Sequence, residues 1–380
     1  IFNIVGWTHI LLDHDGKLPL EIKAVSEGMV IPTKNVLFTV ENTCSKCFWL
    51  TSYIEGLLEQ VWYFCSVATR SYEMKQIIKD YLDKTGYDTP DFKLHNFGYR
   101  GSTSNESAAI ADVAHLVNFK GSDTLLGILL AQRYYSAIMP SFSVPASEHS
   151  TITAWGRKHE VDAYENMLDK FPNGLVAVVS DSYNIFNACE SIWGKYLKKK
   201  VEGRKGTLII RPDSGNPALT VLRVLRLLGE AFGYSINDKG YKILPSYLRV
   251  IQGDGISKTS LSSVVALMEE KKWSIDNIAF GSGGKLVQNV NRDTYGFAYK
   301  TSNVTINGID IPVSKDPITD PNKKSKEGRF MLVRNIEGEI NTIEYNDLVS
   351  EDEDYLKPVF RDGELLIDQT LEEIRERTNQ

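Results

Sequence analysis

Four apolar runs recur along the middle of this chain, and each leads directly into a short loop of Gly, Asp, Ser and Arg. Residues 175–179 precede Ser180-Asp181-Ser182, and residues 208–210 precede Arg211-Pro212-Asp213-Ser214-Gly215. Residues 247–251 precede Gly253-Asp254-Gly255, and residues 278–280 precede Gly281-Ser282-Gly283-Gly284. The loops begin roughly 30 to 40 residues apart, about the length of one strand–helix–strand unit. Helical patterns fall between the runs, over 124–134, 159–170, 185–200, 217–232 and 261–271, and Pro217 suits a first helical turn. This alternation predicts an α/β fold with a parallel sheet or barrel. Parallel strands deliver all four loops to one end, where such folds place their active sites. Two carboxylates, an arginine and several glycines then meet at one place, which suits a phosphorylated, metal-bound sugar better than a hydrophobic ligand.

Outside this region the texture differs. Residues 1–50 read as short strands and turns, with 22–25, 29–31 and 36–40 as candidates. Residues 49–82 read as a helix broken once, and 104–116 as an Ala-rich helix. After Asn291, short alternating strands are expected at 296–301, 330–333 and 342–345, with a terminal helix over 370–377. No internal repeat or low-complexity segment is evident.

The 380-residue length fits one large domain or two smaller ones, and 42% hydrophobic residues allow a sizeable core. A net charge of −6 argues against a general nucleic-acid surface, so any anion site must be a local cluster of Arg and Lys. No apolar run reaches the ~18 residues needed to span a bilayer, and no signal peptide is visible. The chain begins at Ile1 rather than Met, so a longer natural chain is expected. Cys44 and Cys47 form a lone CxxC, with Cys65 and Cys189 scattered after it. A zinc site would want a second pair and a redox site a thioredoxin-like setting, so the expectation is reduced, unlinked thiols.

Each candidate residue has a bland reading beside the functional one. Asp181 and Asp213 could hold a ribose hydroxyl or a magnesium water shell, or cap helices. Arg211 could clamp a diphosphate beside free backbone N–H groups, or pair with its neighbour Asp213. The 281–284 run could offer N–H groups to a phosphate, although it matches neither GxGxxG nor GxxxxGK[ST]. His149 lies among small polar residues, an exposed and reactive setting, yet a lone His is usually structural. Asp123 could cap a helix or accept a hydrogen bond from a ligand amide. Phe97 and Tyr99 beside Arg100 could form an aromatic wall with a cationic edge.

Several long strings narrow these choices. FGYRG (97–101), HLVNFKGSDT (115–124), SVPASEHSTITAWG (143–156), VVSDSYNIFNACE (178–190), LIIRPDSGNP (208–217), YLRVIQGDG (247–255) and WSIDNIAFGSGG (273–284) resemble the nicotinamide phosphoribosyltransferase family of type II phosphoribosyltransferases. The resemblance runs along the whole chain. It implies an irregular α/β barrel over 91–290 and a β-rich domain built from both chain ends. Residues 1–90 would supply the first part of that domain and a connecting helix, and 291–380 the rest and the terminal helix. It also implies a homodimer with active sites at the interface, no nucleic-acid or membrane partner, and a cytoplasmic location, with nuclear and secreted locations left open.

The implied reaction joins nicotinamide to phosphoribosyl diphosphate, releasing diphosphate, with Mg2+ as cofactor and ATP as a stimulating co-substrate through phosphorylation of His149. By resemblance, Phe97 stacks on the pyridine ring and Asp123 reads its carboxamide. Arg100, His149 and Arg211 contact the diphosphate, while Asp181 and Asp213 serve ribose and magnesium. Gly253, Asp254 and Gly284 lie near the nucleotide ribose and phosphate. Arg292 and Lys300 approach the phosphates, Arg292 across the dimer interface. Ala177 and Ala298 stand where the family has serines. The family also carries a segment upstream of Ile1 that supplies a second ring-stacking tyrosine and a further phosphate-binding arginine. The rival readings are a nicotinate phosphoribosyltransferase, against which Asp123 argues, and a non-catalytic or signalling homologue.

Overall fold

The computed structural model describes residues 2–345, 349–350 and 352–379. The chain divides into two compact units, one running from Phe64 to Asn291 and the other formed by Ile1–Tyr63 together with Arg292–Gln380.

The continuous unit is organised by a six-stranded sheet. Its strands run in the order Gly121–Ser122, Leu94–Asn96, Ile278–Ser282, Leu248–Gln252, Lys205–Arg211, Asn173–Val179, and every neighbouring pair is parallel. Alternate residues such as Val176, Val178, Leu208, Ile210, Leu248 and Val250 are fully buried, which gives the strands their apolar appearance in sequence. One short stretch touches both edges of the sheet. Phe142 bridges to Gly121 on one edge strand and Ala146 bridges to Ala177 on the other. The sheet is thereby curled into an irregular barrel, and the chain leaving this closure leads within three residues to His149.

Helix boundaries follow local chemistry. Ser104 and Ser257 form reciprocal capping boxes at the starts of Asn105–Leu116 and Lys258–Glu270. Asn216 caps Pro217–Phe232, with Pro217 in the first turn as the sequence predicts. The expected single helix over 185–200 is instead a short α turn, a π-helical stretch Ala188–Tyr196, and a further helix Lys198–Gly203. The wider turn accompanies an inward Trp193 that stacks on Tyr164 with ring centroids 4.7 Å apart. The Trp193 indole also donates to Ser180 Oγ at 3.1 Å, bracing the strand end just before Asp181.

The discontinuous unit holds a four-stranded antiparallel sheet in the order Glu364–Leu365, Lys357–Arg361, Leu20–Ala24, Phe38–Asn42. Two hairpins accompany it, Asn303–Ile306 with Ile309–Pro312 and Phe330–Arg334 with Ile340–Glu344. Leu371–Thr378 is the terminal helix, capped by Thr370.

Three further expectations need correction. The segment read as strand and turn at the start of the chain is in part a helix, Ile4–Asp13, which Asn3 caps by accepting from the Gly6 N–H at 3.0 Å. Ile4, Val5 and Thr8 are exposed, while Gly6 and Ile10, four apart, make the buried stripe. The helical region after Trp49 is broken twice, into Leu50–Tyr53, Glu55–Leu58 and Val61–Thr85. No strand forms over 296–301 or 29–31. In the former, Tyr299 is anchored by its hydroxyl to the Thr51 carbonyl at 2.9 Å rather than by a ladder, and the strand begins at Asn303.

Candidate active site

Because the barrel strands are parallel, their carboxyl ends carry Phe97, Asp123, Asp181, Asp213, Asp254 and Gly284 at one end. Arg211 is the last residue of its strand and is buried. Its guanidinium forms a forked pair with Asp213, Nε to Oδ1 at 3.2 Å and Nη2 to both oxygens at 3.1 Å. The pairing weighed against a diphosphate clamp is thus present. A side chain at Gly253 would overlap Asp213 Oδ1 and come within 2.7 Å of Arg211 Nε, so this glycine makes room for the pair.

His149 joins the carboxylates. Its Nε2 lies 3.2 Å from Asp213 Oδ2 and 3.8 Å from Asp181 Oδ1, and its Nδ1 lies 3.5 Å from Ser182 Oγ. The imidazole remains substantially accessible, with 44% of its side chain exposed, whereas Asp181 is 5% exposed. Asp181 Oδ2 accepts from Ser214 Oγ at 2.6 Å, while its buried Oδ1 has no hydrogen-bond partner among the described residues. An unsatisfied carboxylate oxygen beside a second carboxylate fits a divalent cation or a ribose hydroxyl.

Phe97 closes the group on another side. Its N–H donates to the Ser282 carbonyl at 2.9 Å, and the Arg211 guanidinium carbon sits 5.3 Å from the ring centroid. The ring lies so close to Gly281 that any Cβ there would overlap it. Arg100 is exposed on the following 3-10 turn, with no ion-pair partner among the described residues. Asp123 is exposed and accepts from Ser143 Oγ. Asp254 is exposed, and its carbonyl accepts from Gln252 Nε2 at 2.9 Å. Gly284 opens the short helix Gly284–Val287.

The structure therefore links Phe97, Arg211, Asp213, Gly253, His149 and Asp181 in one chain of neighbouring contacts. Arg100, Asp123, Asp254 and Gly284 sit on loops at the same barrel end. Arg292 and Lys300 belong to the discontinuous unit. There Arg292 pairs with Glu59 at 3.3 Å and Asp293 at 3.2 Å, and Lys300 donates to the Tyr299 carbonyl at 2.7 Å.

Sequence reading missed the layer beneath. Asp112 is buried in the Asn105–Leu116 helix and accepts on Oδ1 from Asn96 Nδ2 at 2.7 Å and Ser122 Oγ at 2.5 Å. Asn96 in turn accepts from the Gly98 N–H at 2.8 Å, and Ser122 Oγ from the Thr124 N–H at 3.0 Å. One carboxyl thus ties together the loops that carry Phe97 and Asp123. Burial pushes the Asp112 carboxyl up to about 7, against the opposing pull of its Ser122 and Asn96 hydrogen bonds. The readable signal was an Asp on the buried stripe of an Ala-rich helix, in line with Ala108, Ala111 and His115.

Residues 92–364 match the model of the Nicotinate phosphoribosyltransferase (NAPRTase) family. The chain is 47% identical over 384 residues to a nicotinamide phosphoribosyltransferase of Xanthomonas campestris pv. campestris (strain 8004), covering 98% of this chain and 82% of that protein. It is 32% identical over 402 residues to one of Acinetobacter baylyi, covering 99% and 79%. It is 34% identical over 341 residues to one of Mycoplasma genitalium, covering 85% and 73%. It also aligns along its whole length with 78% of a human nicotinic acid phosphoribosyltransferase structure, at TM-score 0.47 and 14% identity. The matches make the chain a pentosyl-transferring enzyme, a phosphoribosyltransferase. More particularly, the chain belongs to the nicotinate phosphoribosyltransferase family.

Proposed function

We propose that this enzyme transfers the phosphoribosyl group of 5-phosphoribosyl 1-diphosphate to nicotinamide, forming nicotinamide mononucleotide and diphosphate in NAD salvage. The observation that carries the reading is the contact group of Phe97, Arg211, Asp213, His149 and Asp181, a ring platform beside a cation and two carboxylates. The names of the relatives support nicotinamide as the acceptor.

The pyridine nitrogen has a free lone pair, so no general base is required. The barrier lies in breaking the bond between the anomeric carbon and diphosphate, with positive charge growing on the ribose. Arg211, released from Asp213, and the unpaired Arg100 neutralise the departing diphosphate. Asp213 and Asp181 face the ribose hydroxyls and stabilise the developing charge. Phe97 supplies a face for the acceptor ring, and Asp123 accepts from its carboxamide N–H, fixing the approach of the nitrogen. Asp181 and Asp213 would hold Mg2+, which supplies further charge neutralisation for the leaving group; the orphaned Asp181 Oδ1 fits that role.

ATP stimulation is assigned to His149. Asp213 favours the tautomer protonated on Nε2, which leaves the Nδ1 lone pair to attack the γ-phosphorus of ATP, the bond to the bridging oxygen breaking as ADP leaves. The assembly is read as a homodimer in which Arg292 and Lys300 reach the phosphates.

The family name raises nicotinate as the competing acceptor. Asp123 separates the two, since an anionic carboxylate accepts from an amide and repels the nicotinate carboxylate. The test is mononucleotide formation from either ring with phosphoribosyl diphosphate and magnesium, with and without ATP. Product from nicotinamide alone, stimulated by ATP, is expected, and equal or preferred use of nicotinate would overturn the acceptor assignment. In Asp123→Asn, discrimination between the rings should fall about tenfold or more, the worth of one charge-assisted hydrogen bond.

A further inference from the structure

The CxxC that seemed alone in the sequence has two histidines beside it. His9 lies in the Ile4–Asp13 helix just before its last turn, and His14 caps its end. Cys44 and Cys47 bracket the 3-10 turn that follows the strand Phe38–Asn42. One ligand atom from each of the four residues lies within 4.8 Å of all the others, and His9 Nε2 is 3.4 Å from Cys44 Sγ.

We infer that His9, His14, Cys44 and Cys47 form a structural zinc site of the Cys2His2 type. Zinc bonds of about 2.3 Å to sulfur and about 2.0 Å to nitrogen place tetrahedral ligand atoms roughly 3.3–3.8 Å apart. The His9–Cys44 separation already falls in that range, and no pair needs to close by more than about 1.5 Å. Two thiolates and two imidazoles select a borderline-soft cation over magnesium or calcium. All four positions are filled by protein, so the site holds structure rather than activating water.

The surroundings are organised as a metal site requires. His9 presents Nε2 to the cluster while its Nδ1 lies 2.5 Å from Asp13 Oδ2, the carboxylate partner that fixes ring orientation behind a metal. The Cys47 N–H donates to the Cys44 carbonyl at 2.9 Å, and Asn42 Nδ2 donates to the same carbonyl at 2.9 Å. Cys47 is fully buried in a small core with Ile10, Leu20, Leu50 and Ile54. Zinc here would pin the first helix to the turn that ends a sheet strand, beside a core of only a few buried side chains. The inference is independent of the acceptor assigned above.

The test begins with the full chain purified under reducing conditions without chelator. Elemental analysis should find one zinc per chain, and chelation should lower Tm reversibly. Asp213→Asn should keep its zinc, which separates this site from the phosphoribosyl site. Cys47 packs in the core, so the informative variants are His14→Asn and Cys44→Ser. Each should lose zinc on dilution into a competing chelator while keeping wild-type far-UV CD. Cobalt(II) loaded in place of zinc should give the strong visible bands of a tetrahedral thiolate site, absent in Cys44→Ser. A protein that takes up no zinc when reduced, or a His14→Asn variant that retains it fully, overturns the inference. So does a stable Cys44–Cys47 disulfide in a metal-free, fully folded protein.

Discussion

At the scale of single residues, the site is a set of exchangeable pairings. His149 meets Asp213 at 3.2 Å, and a phosphoryl group on its ring would place negative charge beside the site and draw in cations. His149→Ala should therefore lose ATP stimulation while retaining some basal transfer. Equal stimulation in the variant, measured as initial rate with and without ATP, would remove that role. Asp112 offers a second handle because its titration has a definite sign. Its native carboxyl sits at about 7 and its unfolded value at about 4, so the folded state binds more protons between those values. Its contribution to stability is present below pH 4 and lost as pH rises through 7, by a few kcal/mol at most. Asp112→Asn removes that titration, so the Tm difference between variant and wild type should shift in the variant's favour from pH 5 to pH 8. A difference independent of pH would show that Asp112 does not titrate in this range.

At the scale of elements, the strand ends decide the site, and glycine decides how closely they approach. A Cβ at Gly281 would overlap the Phe97 ring, while one at Gly283 would sit 3.4 Å from the Phe97 carbonyl, an ordinary contact. Gly281→Ala should displace the ring at a cost of about 1–3 kcal/mol and raise KM for the acceptor, with Gly283→Ala the mild control. Equal steady-state kinetics for the two variants would mean that the Phe97 platform is not set by this contact. The same elements explain what could be read in advance. Parallel strands buried on both faces are continuous apolar runs, and their loops carry the chemistry, so Asp181, Arg211, Asp213 and Gly253 were visible. The helix Ile4–Asp13 was not, because its exposed Ile4, Val5, Leu11 and Leu12 mask a buried stripe of only Gly6 and Ile10. With that helix unread, His9 and His14 could not be placed beside the CxxC. Nor could sequence show that the 142–146 stretch closes the barrel, since two single bridges leave no periodicity.

At the scale of the whole molecule, chain order and spatial order disagree. The barrel unit is one uninterrupted stretch from Phe64 to Asn291, whereas the other unit is assembled from both ends of the chain. Its central strand Leu20–Ala24 pairs on one side with nearby Phe38–Asn42 and on the other with distant Lys357–Arg361. Pairing across so long a loop carries a closure entropy that local contacts do not offset until the intervening chain has become compact. Folding of the barrel supplies that compaction, so the barrel sheet should form first. In refolding followed by pulsed hydrogen exchange, amides of Asn173–Val179 and Lys205–Arg211 should gain protection before those of Lys357–Arg361. The Leu20–Ala24 amides that bond to Phe38–Asn42 should precede those that bond to Lys357–Arg361. Simultaneous protection of the two sheets, or earlier protection of the one joining the chain ends, would refute this order. It would mean that contacts between the chain ends nucleate folding, as they could if the ends were already held together in the unfolded state.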